Sequence, residues 1–169
     1  MASLVGSRVE RKEDKKFLTG KGRYTADINL ANQTYAYFVR SPHARAKIKN
    51  IDISKASKAS GVIRILTGKE LAADKIGGLI AGWKIVSQDG TDMKVPPHPP
   101  LATDSVNYVG DHVAIVIAES LDEAKNAAEL VKVEYKVLKA VVKTGDAMKS
   151  EAIHDGIEKN LCFDFGLGD

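Results

Sequence analysis

The sequence predicts an α+β domain in which strands outnumber helices. Three observations carry this. The chain has 169 residues, enough for one domain of ordinary size. Apolar residues recur mostly in short strand-like runs, TYAYFVR (34–40), VIRIL (62–66), VAIVIA (113–118) and VEYKVL (133–138). One sustained helical pattern, beginning at Leu121, lies between the last two runs.

Residues 34–40 combine aromatic and β-branched side chains, the composition of a strand. Pro42 breaks that strand, because proline removes a donor and holds Ser41 extended. Residues 44–49 then alternate. Ala44, Ala46 and Ile48 share one face, and Arg45, Lys47 and Lys49 share the other. At Asn50 the phase slips to Ile51 and Ile53, which predicts a bulge or bend. Ser54 is placed to cap a short helical turn ending before Gly61. After strand 62–66, Thr67 and Glu70 form a capping-box pattern for a helix near 68–73.

Residues 74–104 are rich in Gly and Pro and hold no period, which marks a functional or disordered segment. Within them PPHPP reads as polyproline-type extended chain. Periodicity returns at 106–119. VAIVIA is apolar on both faces and predicts a central strand. Ser120 and Glu123 repeat the capping-box pattern, and Leu121, Ala124, Ala127, Ala128 and Val131 follow at helical spacing. VEYKVL alternates like an exposed outer strand, which completes a strand–helix–strand unit. Thr144 is placed to cap a last short helix through Met148.

Hydrophobic residues make up 44% and charged residues 28% of the chain, the balance of a soluble globular protein. No apolar run approaches the ~20 residues that cross a bilayer. The N-terminus lacks a signal-peptide core, so a cytoplasmic location is expected. Cys162 is the single cysteine. It excludes an internal disulfide and any CxxC-type zinc or iron–sulfur site in this chain. Charge is uneven: residues 1–68 hold 14 Lys and Arg against 5 Asp and Glu, and residues 69–169 hold 11 against 17. Such asymmetry marks a solvated face or a partner-facing one. No aromatic residues interleave with the basic ones, which argues against nucleic acid.

The candidate reactive stretch is FVRSPHARAKI (38–48), where His43 lies between Arg40 and Arg45, with Ser41 alongside. It reads either as a site or as a corner between strands. His98, His112 and His154 complete the histidines, and none pair at metal-ligand spacing. Asp111 could orient the His112 imidazole. Neither Ser41 nor Ser105 lies in a GxSxG elbow that would supply a nucleophile. TGKGRYT (19–25) lacks P-loop spacing, and IGGLIAG lacks GxGxxG spacing. No complete catalytic constellation emerges from the residues.

Several segments, in order and in register, resemble one family. They are RKEDKKFLTGKGRYTADI (11–28), YFVRSPHARAKIKNIDISKA (37–56), GVIRILTGKEL (61–71), PPLATDSVNYVGDHVAIVIAE (99–119) and AAELVKVEYKVL (127–138). The family is the molybdenum hydroxylase large subunits, which include xanthine dehydrogenase, aldehyde oxidase and aerobic carbon monoxide dehydrogenase. GWKIVSQDGTDMKVPPHP (82–99) looks most like the carbon monoxide dehydrogenase large chain and its relatives. The resemblance implies an α/β-hammerhead domain over 1–155, a mixed sheet with a few packed helices, and a linker over 156–169.

It further implies a large oxidoreductase subunit that uses molybdopterin (cytosine dinucleotide), with 2Fe–2S clusters on a small subunit and FAD on a medium subunit. The cofactor loops, the active-site glutamate and the cysteine-bearing loop of that family would all lie beyond Asp169, and Cys162 matches none of them by position. Within this chain the resemblance therefore implies no catalytic, cofactor-binding or metal-ligating residue. The expected role is subunit architecture and part of a substrate-channel wall, with residues 76–100 at the channel or a subunit contact. RSPHA matches the family's strand-to-strand corner. The alternatives are a free-standing, non-catalytic binding or scaffold domain of the same fold, and a hydrolase built on Asp111 and His112.

Overall fold

The computed structural model describes residues 5–168. The chain divides into two units, Met1–Gln33 and Thr34–Asp169. In the first, α1 (Asp14–Leu18) is a single exposed turn and a half. It carries no cap signal in the sequence. Phe17 stacks on Tyr24 at 5.3 Å, and the Asp27 carboxylate accepts the Tyr24 N–H at 2.8 Å. The glycine-rich 19–25 segment is thus a turn closed by its own residues.

The second unit contains two three-stranded sheets. β1 (Tyr35–Arg40), β3 (Val62–Thr67) and β5 (His112–Ala118) form the first, in the order β1-β5-β3. β2 (Ala46–Asp52), β4 (Ser105–Val106) and β6 (Lys132–Val137) form the second, in the order β4-β2-β6. Every pairing is antiparallel. The α+β class holds, but two antiparallel sheets stand where one mixed sheet was expected. The reason is that the helix after β5 delivers the chain to the other sheet, so no parallel pair forms.

β5 is the central strand, as its two-sided apolar run requires. Ala114 and Val116 pack with Ile65 of β3 and with Ala127, Ala128 and Val131 beneath the helix. Val113 points the other way, into a second cluster with Ala46, Ala102 and Val106. Ile51 and Val133 touch both clusters, so the two sheets share one continuous interior. The helix α3 (Leu121–Leu130) buries Ala124, Ala127 and Ala128. Small side chains there let its backbone approach the sheet closely. Leu121, expected on this stripe, is 40% exposed. It sits in the first turn, where the stripe has not yet reached the sheet.

The caps follow the sequence in two of four places. The Glu70 carboxylate accepts the Thr67 N–H at 2.7 Å ahead of α2 (Gly68–Ala73). The Ser120 hydroxyl accepts the Glu123 N–H at 3.2 Å and donates to its carboxylate at 2.8 Å. Ser54 is not a cap. Its own N–H is taken by Asp52 at 2.9 Å, and the turn that follows is a 3-10 turn, Ala56–Lys58. Thr144 opens a 3-10 turn, Thr144–Lys149, rather than capping it. The phase slip at Asn50 is a register shift between Ile48 and Asn50 against β6.

Residues 74–104 carry more order than their composition suggests. Val86 bridges Asp92, and the Met93 N–H donates to Ile85 at 2.9 Å. Asp89 closes the tip, accepting from the Thr91 N–H at 2.9 Å and its hydroxyl at 2.6 Å, while Gly90 takes φ 81°. The chain from 85 to 93 is therefore a small hairpin. The later segment lies beside it, with the Gln88 N–H donating to Asp164 and the Lys94 N–H to Cys162, both at 2.9 Å. Asp169 lies outside the described residues.

Candidate functional site

The stretch 40–45 is a corner in which Arg40, Ser41 and Arg45 each have hydrogen-bond partners. Ser41 is buried, and its hydroxyl accepts the His43 N–H and donates to the His43 carbonyl, each at 3.0 Å. The Ser41 backbone pairs with the turn before β5, donating to Asp111 and accepting from Gly110 at 2.8 Å. These bonds lock the end of β1 onto the start of β5.

The two guanidinium groups do not flank His43. Arg40 donates to the Gly110 carbonyl at 3.2 Å and lies 6.0 Å from the Phe38 ring centre. Arg45 turns away and donates to the carbonyls of Lys139 (3.3 Å) and Ala152 (3.0 Å). It also faces Glu151 at 3.7 Å. His43 sets its ring edge against Tyr135, with centroids 4.9 Å apart. Burial pushes the Tyr135 phenol above its ordinary value, the Ser41 hydroxyl opposes this, and the Asp111 carboxylate adds to it. The group therefore stays neutral and acts as packing.

Asp111 does not orient His112. Its carboxylate accepts the Asn107 N–H at 3.0 Å and so closes the turn that precedes β5. Burial first, and then Asp111, raises the nearby Tyr108 phenol. His112 instead stacks on Phe38 at 4.3 Å. The side chains are adjacent in sequence but leave the strand end in different directions, so the hydrolase pair is not assembled. Ser105 pairs across to Lys47 in the second sheet. His98 lies near Tyr108, its Nε2 3.5 Å from the phenol oxygen.

An open groove of about 1540 Å³ runs over the second sheet. Lys47, Lys136 and Ser105 line it on one side, and Leu79, Ile80 and Pro97 on another. Sequence reasoning missed this groove because its parts come from five separate segments. The like-charged register pair Lys47 and Lys136 was visible only once β2 and β6 were paired. Among the described residues, no three of His, Cys, Asp and Glu converge as metal ligands. No buried side-chain nitrogen or oxygen among them lacks a partner. A pterin cofactor needs a cradle of inward-aimed donors, and the residues present do not fit one.

The family of aldehyde oxidase and xanthine dehydrogenase, a/b hammerhead domain, matches residues 19–139. The chain belongs to this family. The hammerhead chain is 36% identical over 154 residues to the nicotine 6-hydroxylase large subunit of Paenarthrobacter nicotinovorans, covering 91% of itself and 18% of that protein. To the carbon monoxide dehydrogenase large chain of Afipia carboxidovorans it is 35% identical over 150 residues, covering 88% and 17%.

The crystal structure of quinoline 2-oxidoreductase from Pseudomonas putida 86 superposes with a TM-score of 0.75 at 35% identity, over 87% of this chain and 18% of that one. The chain thus spans less than a fifth of the length of these relatives. Identity to proteins of different substrates is the same within a per cent, so the likeness marks the family and no one substrate. It favours the subunit-domain reading over a free-standing scaffold. No helix among the described residues is long and apolar enough to cross a membrane.

Proposed function

We propose that this hammerhead domain is a structural part of a molybdenum-dependent hydroxylase large subunit and carries no catalytic group of its own. The observation that supports this best is the corner at 40–45, where Arg40 and Ser41 bind the turn before β5 and Arg45 binds the segment after β6. The Ser41 hydroxyl is bonded on both sides and the half-buried Arg45 is tied to two backbone carbonyls, so both are taken up in the fold rather than presented to a substrate. On this reading, molybdopterin in its cytosine dinucleotide form is held by other domains of the subunit. Clusters of the 2Fe–2S type and FAD sit on the small and medium partner subunits, and the assembly works in the cytoplasm. The hammerhead covers 1–155, and 156–169 leads toward the next domain.

Residues 76–100 are proposed to border the substrate channel or a subunit contact. Ile80 is 92% and Trp83 is 83% exposed, and apolar surface of that kind marks a place where another surface sits. The basic N-terminal segment, with Arg11 and Lys12, is proposed to face the iron–sulfur subunit. Charge reversal there should weaken assembly in a salt-dependent way.

The deciding experiment measures molybdenum content and dye-linked turnover of the purified 169-residue chain. Neither is expected. Stoichiometric molybdenum with turnover of carbon monoxide or an N-heterocycle would overturn the reading. An immunoblot of source cells adds an independent check, and a band several-fold heavier than 18.2 kDa is expected.

A further inference from the structure

We infer that the groove over the second sheet is a docking site for an extended acidic segment of a second polypeptide. Its carboxylates would meet a row of lysines, and its apolar side chains would meet the loop wall. The row is fixed by strand register. Ser105 of β4, Lys47 of β2 and Lys136 of β6 lie side by side across the sheet. Lys47 and Lys136 are direct cross-strand partners, an arrangement that destabilises a sheet unless something neutralises it. Nothing in the domain does so. Among the described residues the ion pair that forms is Arg45 with Glu151, and neither lysine takes part in one.

Three of the four acidic groups along the groove have partners within the domain. Glu151 is held by Arg45, Asp111 caps the Asn107 N–H, and Asp104 accepts from the Thr103 hydroxyl at 3.2 Å. Arg45, Lys47, Lys49, Lys136 and Lys139 line the cavity against Asp104, Asp111, Glu151 and Asp155, a balance of +1, and its positive side is the lysine row. The facing wall is apolar and open, with Leu79 at 66% and Ile80 at 92% exposure.

Size and mixture select the occupant. The volume, about 1540 Å³, exceeds the ~300–1,000 Å³ of small-molecule sites. A chain in extended conformation presents alternate side chains to opposite sides. Acidic residues at every second position would therefore reach the lysine row while their neighbours lie on the Leu79–Ile80 wall. A nucleic acid fits less well. The Tyr108 and His98 rings already meet each other edge to face, which leaves no free platform for stacking bases. The inference rests on the domain working inside an assembly, but on no cofactor.

The competing account is that the lysines only keep the outer face of the sheet solvated. Lys47→Glu separates the two accounts. It converts a like-charge pair into an opposite-charge one, so the fold should hold or gain stability. Fluorescence anisotropy would follow a labelled peptide of alternating Glu and Val. The wild-type chain should bind it saturably, and more weakly at high salt. Lys47→Glu and Lys136→Glu should each weaken binding at least about tenfold with Tm unchanged or raised. The double variant should prefer a peptide of alternating Lys and Val.

Absence of saturable binding, equal binding by the single variants, or equal binding of oligothymidine would overturn the inference. These outcomes are independent of molybdenum content, which tests the subunit reading alone.

Discussion

Replacing Arg45 with Ala should loosen the segment after β6 while leaving both sheets intact. The Arg45 side chain is only 13% exposed. It joins the start of β2 to Lys139 and Ala152, residues 94 and 107 positions away. Bonds from a charged donor are worth ~1.5–3 kcal/mol each, and the longer one, 3.3 Å to Lys139, belongs at the low end. The Glu151 side chain is 86% exposed, so the ion pair adds no more than ~1 kcal/mol. The sum is about 3–5 kcal/mol. For a chain of this size each kcal/mol moves Tm by ~2–4 °C, so a fall of about 6–20 °C is expected.

The assay is thermal melting with amide exchange, and protection should drop over 147–153 while β1, β3 and β5 keep theirs. Glu151→Ala is the internal control and should change Tm by less than ~2 °C. If Arg45→Ala melts with the wild type and residues 147–153 stay equally protected, the clip is not a clip. Arg45 would then have to be reconsidered as a free group facing a ligand.

Gly61 takes φ 69°, and a side chain there would run into the Glu123 carboxylate. Gly61→Ala should therefore cost at least ~1–2 kcal/mol from backbone handedness alone, read from urea melts. A methyl group at Gly68 would strike the carbonyls of Leu101 and Ala102, which are backbone and cannot swing aside. Gly68→Ala should be the worse of the two, by ~1 kcal/mol or more. Tyr135 has a raised phenol. Its contribution is fully present below the ordinary tyrosine value and is lost as pH climbs through the folded one. Tyr135→Phe should flatten the alkaline end of a stability–pH profile, and an unchanged slope would refute this.

How far the sequence revealed the fold depends on the range over which each signal acts. The central position of β5 was legible because VAIVIA is apolar on both faces, a property of six neighbouring residues and nothing else. The bulge at Asn50 was legible because a period-2 pattern cannot change phase without an extra residue. Partition into two sheets was not legible. It depends on where α3 delivers the chain, and no local pattern encodes that. The hairpin at 85–93 was missed, although Asp89-Gly90 is a turn signal. The dipeptide has Ser-Gln and Thr-Asp on either side instead of alternating apolar residues, so composition masked it.

The pair Asp111–His112 shows the opposite error. Adjacency in sequence suggested cooperation, yet neighbours on a strand point to opposite faces. Asp111 serves the turn and His112 serves Phe38.

A domain so well supplied with polar residues still reads as a framework. Reactivity requires a group that is held in place yet not consumed by what holds it. At 40–45 the holding and the held are the same atoms. The Ser41 hydroxyl serves as both donor and acceptor to one residue, and each arginine ends on main-chain carbonyls. Such bonds fix the angle between β1 and β2, and through Gly110 the start of β5.

The unconsumed groups lie elsewhere: lysines over the second sheet, and apolar side chains along 79–95. These are chemically inert at neutral pH but rich in charge and area, which is what recognition uses. The domain therefore spends its bonding capacity inward on geometry and leaves outward only what another surface could read.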